Sequence, residues 1–147
     1  MRRRSGFTLV ELVVVILILG VLAAIAAPKL FSTSSTAADN SMRTSISIIR
    51  GAIDLYASAN NGALPGADGT QATFKTDVAP YLRGSFPKCS VGPAANQNAT
   101  ITFTASSPPT GLLADNSGWK YNKTTGEFIC NNPTASKVDP ATTYDQF

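Results

Sequence analysis

Continuous hydrophobicity is confined to the beginning of the chain. Between Phe7 and Ala27 every residue except Glu11 is uncharged, and most are aliphatic. A helix of about 21 residues rises roughly 30 Å, which is the thickness of bilayer hydrocarbon. Arginines fill positions 2 to 4, and such a basic cluster stays on the cytoplasmic side. The pattern predicts one membrane-spanning helix, with a cytoplasmic N-terminus and everything after Pro28 outside.

The helix is expected to weaken just after this segment. Ser32-Thr33-Ser34-Ser35-Thr36 contains weak helix formers whose hydroxyls compete for backbone hydrogen bonds. Thr36-Ala37-Ala38-Asp39 is typical of a helix start with an acidic first turn. The helix could therefore break at Pro28 and restart, or continue with a gentle kink. We expect the continuous form in the isolated subunit.

Residues 42 to 58 show helical spacing with one apolar and one polar face. The apolar face predicts a stripe that packs against a sheet, and a coiled coil is the runner-up. On the polar face, Arg50 and Asp54 are four residues apart and predict an exposed ion pair. Asn60-Asn61-Gly62 predicts the helix end. The apolar positions are Met42, Ile46, Ile49, Ile53 and Tyr56, and the polar ones are Arg43, Ser47, Arg50, Asp54 and Ser58.

The rest of the chain predicts a small domain with short elements. Thr73 to Leu82 predicts a short helix interrupted by Pro80. Ala99 to Ala105 alternates apolar and hydroxyl side chains, as in a half-buried strand. Trp119 to Asn122 and Glu127 to Cys130 flank a turn and predict a hairpin. We expect three strands in an antiparallel sheet, with a fourth from residues 90 to 93 or after residue 140 as a weaker candidate.

Charge and cysteine content narrow the class of protein. Twelve basic residues exceed nine acidic ones, but leaving out the three N-terminal arginines makes the counts equal. The net positive charge therefore comes from the N-terminal arginines that orient the membrane helix, and a nucleic-acid partner is not expected. Cys89 and Cys130 form an even pair in an exported region, which favours a disulfide over two free buried thiols. The sequence has no histidine and no phosphate-binding glycine loop, so an enzyme is not expected.

The segment Ser5-Gly6-Phe7-Thr8-Leu9-Val10-Glu11-Leu12 resembles the cleavage junction of class III prepilins, found in type IV pilins and type II secretion pseudopilins. The resemblance implies cleavage between Gly6 and Phe7 by a prepilin peptidase, with N-methylation of Phe7. Glu11 and Pro28 fall where the family keeps a glutamate and a helix-disturbing proline. Because a carboxylate inside an apolar membrane helix is costly, we expect Glu11 to pair with the amino terminus of a neighbouring subunit's Phe7.

The resemblance also implies a fold and a division of the chain. We expect an α+β, pilin-like protein whose long helix packs on a small sheet. Residues 1–6 would be a leader peptide, 7–28 the membrane and assembly helix, 29–61 its amphipathic half and 62–147 the globular domain. Some pseudopilins bind calcium, but Asp68 and Asp77 lack the clustered oxygen ligands of a calcium loop, so neither a metal nor a cofactor is expected.

The function implied is that of a structural subunit in a type IV pilus-like filament. Its partners would be identical subunits, the peptidase and an inner-membrane assembly platform. It would be stored in the bacterial inner membrane and end in a periplasmic or extracellular filament. A type II secretion pseudopilin is the alternative, as is a minor pilin for DNA uptake or adhesion. The cysteine pair inclines the choice slightly to a pilin, because major pseudopilins often lack cysteines.

Overall fold

The computed structural model describes residues 6–147, except the side chains at positions 31 and 32. The predicted leader residues 1–5, with their arginines, therefore lie outside the described part. The chain forms two compact units, Met1–Ser35 and Thr36–Phe147. Helix α1, Leu9–Ala59, contributes to both and contains Pro28. The prediction of one continuous helix is confirmed, and Thr36 does not start a new one.

The elements after α1 are short. Helix α2 spans Gln71–Val78, and three strands follow. Single 3-10 turns occupy Ala79–Tyr81, Ala94–Asn96, Leu113–Asp115 and Tyr144–Gln146. The strands are β1 (Ile101–Thr104), β2 (Trp119–Asn122) and β3 (Phe128–Cys130). The predicted α+β class is confirmed, as are the hairpin and the short helix before Pro80.

The second half of α1 ends where the sequence predicts. Asn61 and Gly62 both adopt positive φ, at 55° and 86°. The Gly62 amide then donates to the Ala57 carbonyl at 2.7 Å, which satisfies a carbonyl left open at the helix end. Left-handed backbone favours asparagine and glycine because a β-carbon is otherwise crowded there. The chain therefore turns away from α1 toward the domain.

The predicted apolar stripe of α1 lies in the hydrophobic core of the second unit. Met42, Ile46, Ile49 and Ile53 are buried in one cluster with side chains from the sheet and from α2, while Tyr56 is half-buried. The predicted Arg50–Asp54 ion pair is wrong. Arg50 is half-buried and donates instead to the backbone carbonyls of Phe128 and Phe147.

The sheet is mixed, and the prediction of a fully antiparallel sheet is wrong. Its order is β1-β2-β3, with β2 and β3 antiparallel as the hairpin requires. However, β1 and β2 are parallel, with Ile101 beside Trp119 and Thr104 beside Asn122. A parallel pair needs a crossover, not a tight turn, and residues 105–118 supply it. The two segments proposed for a fourth strand contribute only an isolated bridge between Ala135 and Thr143.

Asparagine side chains secure this crossover. Asn98 accepts from the amides of Thr100 and Gly118, so it joins the starts of β1 and β2. Asn131 accepts from the Leu112 amide and donates to the hydroxyl of Ser117. Buried polar groups must find partners, and these amides supply the hydrogen bonds that a longer sheet would otherwise provide. The parallel register therefore depends on polar side chains outside the strands.

Aromatic rings fill the space between α2 and the sheet. Phe74 is fully buried, with its ring centroid 4.6 Å from Tyr121 and 5.9 Å from Phe128. Offset and edge contacts of this kind add stabilisation to the apolar area that is buried. Gly66, at φ 68°, lies against this cluster, and a β-carbon there would come within 2.9 Å of the Phe74 β-carbon. The loop before α2 thus requires glycine at this position.

Candidate processing and assembly site

The predicted cleavage junction lies before the first turn of α1. Gly6, Phe7 and Thr8 precede the helix in a stretch without regular structure. Phe7 is 83% exposed, and among the described residues beyond its chain neighbours no atom lies within 4 Å of the place where a β-carbon of Gly6 would be. On the helix side of the predicted cut, the chain is therefore exposed. Cleavage there remains a prediction.

Thr8 and Glu11 form a capping box at the start of α1. The Thr8 amide and hydroxyl both donate to Oε2 of Glu11, at 2.8 and 2.7 Å, while the Glu11 amide donates to the Thr8 hydroxyl at 3.2 Å. This reciprocal arrangement satisfies backbone amides that have no partner inside the helix. The Thr-x-x-Glu signature of this capping box is visible in the sequence, and Glu11 has this role in addition to the predicted intersubunit one.

From Leu9 to Leu30 the helix presents a surface that is apolar except at Glu11 and Lys29. The large aliphatic side chains from Leu9 to Leu30 are 45% to 79% exposed. This part of α1 is long and apolar enough to cross a membrane. Exposed aliphatic surface on this scale is unfavourable in water and favourable in lipid or in a bundle of like helices. The surface is therefore suited to anchoring the chain in a membrane.

Cys89 and Cys130 are brought together in the second unit. Both are buried, and their Sγ atoms lie 3.4 Å apart as two thiols in contact. Cys89 lies in the loop before β1, and Cys130 ends β3. The hydrogen bond with Cys89, followed by burial, raises the pKa of the Cys130 thiol. Sequence reasoning paired these residues, and their juxtaposition supports a disulfide, which stays a prediction.

Asp39 is a buried site that sequence reasoning missed. Instead of capping a new helix, its carboxylate accepts from the hydroxyls of Ser136 and Tyr144. Burial, together with this hydrogen bond to Asp39, raises the pKa of Tyr144. Asp39 is only 2% exposed, so the two hydrogen bonds from Ser136 and Tyr144 replace the water that its carboxylate would otherwise bind. They tie the segment near the end of the chain to α1.

The two aspartates considered for calcium have separate structural roles. Asp68, before α2, accepts from the Thr73 hydroxyl and from the Thr70 amide and hydroxyl, and these bonds lower the pKa of its carboxyl. Asp77 accepts from the Gly66 amide. Among residues 6–147 no three side chains of the His, Cys, Asp or Glu types lie together as a metal site would require.

Trp119-Lys120-Tyr121 places a lysine between two aromatic residues in strand β2. Trp119 and Tyr121 are fully buried, as their alternation in β2 predicts. Lys120 is only 8% exposed, and its ammonium donates to the Thr110 carbonyl and faces Asp115 at 3.5 Å. These three side chains are therefore part of the domain interior and do not form an exposed basic and aromatic surface.

The combination of an exposed apolar helix at the start of the chain and an amphipathic helix over a small sheet defines a pilin-like protein. Residues 1–27 match the family described as the prokaryotic N-terminal methylation motif. This match and the apolar helix support membrane anchoring of the chain.

The chain is homologous to proteins named type II secretion system core protein G. It is 33% identical to the one from Klebsiella pneumoniae over 88 residues, which cover 60% of this chain and 63% of that protein. Identity to the Vibrio cholerae protein is 37% over 93 residues, covering 60% and 63%. For the Aeromonas hydrophila protein it is 42% over 60 residues, covering 41% and 42%.

These alignments span 42% to 63% of the length of the relatives. No solved structure matches the chain. The predicted resemblance to the pilin and pseudopilin group is confirmed. Within that group the named relatives are secretion proteins, so they favour the pseudopilin alternative over the pilin toward which the cysteine pair inclined.

Proposed function

We propose that this chain is the structural subunit of a pseudopilus-like filament in a type II secretion system. The observation that carries the proposal is the exposed apolar surface from Leu9 to Leu30, which follows a prepilin methylation motif. Relatives named for that secretion system support the choice of filament. The chain would act by assembling, without catalytic activity of its own.

Processing would come first. A prepilin peptidase would cut between Gly6 and Phe7 and remove residues 1–6, and Phe7 would then be N-methylated. The exposure of Phe7 and the open space around Gly6 support access to this bond. Because the cut lies before the apolar segment, the mature chain would keep its membrane helix as a single span with a cytoplasmic N-terminus.

Assembly would use the new amino terminus. Both bonds from Thr8 end on one oxygen of Glu11, so the other oxygen, Oε1, is not used by the capping box. The amino group of a neighbouring Phe7 would pair with this carboxylate and set the axial register between subunits. In a water-poor bundle of helices, such an attraction is several times stronger than in water. Pro28 and the small residues near it would allow the helices to adjust as subunits leave the membrane.

Several partners follow from this function. They are other copies of the chain in a helical filament, the peptidase, and an inner-membrane platform that drives assembly. The subunit would be stored in the inner membrane and used in a filament in the periplasm.

A type IV pilus is the second candidate, and the close approach of Cys89 to Cys130 favours it. A disulfide near the end of the exported domain is common among the pilins that the sequence resembles, and both the periplasm and the cell surface would let it form. A strain in which the gene is deleted separates the two candidates, and the same strain complemented with the wild-type gene is the control. Loss of secreted enzymes from the medium with surface pili intact supports the pseudopilin, and the reverse result supports the pilus.

Mass spectrometry of the membrane-extracted protein tests the processing step. We expect a mature chain that begins at methylated Phe7. A chain that begins at Met1, or one cut after Ala27, would overturn the proposed function.

A further inference from the structure

A groove opens between the second half of α1, the crossover and the β2–β3 hairpin. Its volume is about 560 Å³, which lies in the range of pockets that bind small ligands. Apolar side chains line its floor: Ile53 from α1, Pro109 from the crossover and Ile129 from β3. All three are buried and held by the fold, so the groove is already formed in the single subunit.

Three carboxylates lie around this floor, and two of them keep free oxygens. Asp145 accepts from a backbone amide with one oxygen and from a hydroxyl with the other. Glu127 accepts from two hydroxyls through Oε2, which leaves Oε1 without a hydrogen bond in the described part of the chain. Asp54 is exposed and has no hydrogen-bond partner among residues 6–147. Glu127 and Asp54 can therefore accept hydrogen bonds from a bound group.

The lining of the groove is negatively charged. It contains three carboxylates and one cation, Arg50. The guanidinium donates to the carbonyls of Phe128 and Phe147, which hold it against the wall. Neither Asp54 nor Glu127 takes part in an ion pair with another described residue. An apolar floor beneath unpaired carboxylates matches a side chain that is aliphatic along its length and positive at its end.

We propose that the groove binds a lysine on an extended segment of a different protein, with the aliphatic stem on the floor and the ammonium between Asp54 and Glu127. Lysine fits better than arginine, because the acceptors converge from two elements and a compact ammonium can direct its three donors separately. A planar guanidinium is suited instead to the two oxygens of one carboxylate. This inference goes beyond the proposed function and does not depend on filament assembly.

The size of the groove indicates that the partner is transient. A segment that fills it buries far less than the roughly 1,200 Å² of a stable protein pair. Strand pairing adds little, because Arg50 already takes the Phe128 carbonyl on the free edge of β3. The contact therefore depends on one side chain and suits a protein that binds and leaves, whereas a permanently packed neighbour requires a larger surface.

Fluorescence anisotropy tests the contact with the full chain in micelles of an uncharged detergent. The probe is a labelled peptide of alanine and proline residues with one central lysine, and the comparison peptide has that lysine acetylated. We expect the acetylated peptide to bind roughly tenfold more weakly, because it has lost a charge-assisted hydrogen bond. Equal binding of the two peptides overturns the inference.

Two substitutions in the groove and one outside it make the test specific. Asp54→Asn removes no contact within the described chain, and Glu127→Gln keeps an acceptor for the hairpin hydroxyls, so both variants should fold. Each should weaken binding of the lysine peptide by about threefold or more. Asp139→Asn removes the same charge from an exposed residue outside the groove and should leave the affinity within twofold. Unchanged binding by both groove variants overturns the inference.

Carbodiimide coupling locates the bound lysine. The reagent condenses an amine with a carboxylate to form an amide, and it takes up the released water as a urea. Peptide mapping by mass spectrometry should find the probe joined to Asp54 or Glu127. A probe joined mainly to other carboxylates, or groove carboxylates joined to a second copy of this chain, overturns the inference. Filament yield enters neither measurement, so the proposed function stands or fails separately.

Discussion

Oxidation of Cys89 and Cys130 is expected to have the largest effect on stability of any single bond in the domain. The two thiols are 41 residues apart in sequence and 3.4 Å apart at sulfur. A disulfide needs about 2.05 Å, so each sulfur must move by well under 1 Å. Both side chains are buried, and their neighbours already hold them in place. The bond should therefore form without rearranging the loop or the strand that it joins.

The size of the effect follows from the loop that the bond closes. In the chain-entropy model, closing a loop of about 40 residues restricts the unfolded chain by roughly 4 kcal/mol. For a unit of about a hundred residues, each kcal/mol shifts the Tm by roughly 4 °C. We therefore expect the Tm of the oxidised protein to exceed that of the reduced protein by about 15 °C.

The assay is thermal unfolding of the full chain in detergent, followed by circular dichroism with and without a phosphine reductant. Cys89→Ala and Cys130→Ala serve as matched controls, since either removes the bond. Each variant should unfold at the same temperature under both conditions, whatever the cost of the lost sulfur. Two alkylatable thiols in denatured, non-reduced protein from the exported fraction would refute the reasoning, as would equal Tm values for the wild type.

Three further predictions concern single side chains. Glu11→Gln retains an acceptor for the capping box but loses the charge. The variant subunit should therefore be cleaved and anchored normally, yet the yield of sheared filament should fall severely. A normal filament yield would leave capping as the only role of Glu11. Arg50→Met removes the guanidinium that donates to the Phe128 carbonyl, and should lower the free energy of unfolding by about 2 kcal/mol in urea titrations. Asp68 has a lowered pKa through the Thr73 hydroxyl, so its contribution is present above the unfolded pKa of about 4 and lost as the pH falls through the folded value. Urea unfolding at several pH values should therefore show a steeper acid loss for wild type than for Asp68→Asn.

The elements that could be predicted are those decided by neighbours in sequence. The period of Met42 to Tyr56 shows which face of α1 is buried, and Gly126 at φ 80° marks the hairpin turn. The prepilin motif is recognisable because its order, a small residue before the apolar run, differs from an ordinary secretory signal. In each case a few adjacent residues carry the whole signal.

What could not be predicted depends on partners far away in the chain. The residues next to β1 do not indicate that the strand pairs in parallel with β2, because the register is held by hydrogen bonds from Asn98 and Asn131 across the crossover. The spacing of Arg50 and Asp54 predicts an ion pair, yet Arg50 donates to backbone carbonyls 78 and 97 residues away. Asp39 has the spacing of a helix cap, but its partners, Ser136 and Tyr144, come from near the end of the chain.

The three-stranded sheet has two edges, and a side chain covers a backbone group on each. On one edge Arg50 donates to the Phe128 carbonyl, and on the other the Ile101 amide donates to the side chain of Gln71. Unpaired strand edges recruit strands from other molecules, a hazard that grows with concentration. If identical copies are held side by side in a filament, as proposed above, that hazard would be continuous. Blocking both edges would let copies meet through their helices while keeping their sheets from joining into aggregates.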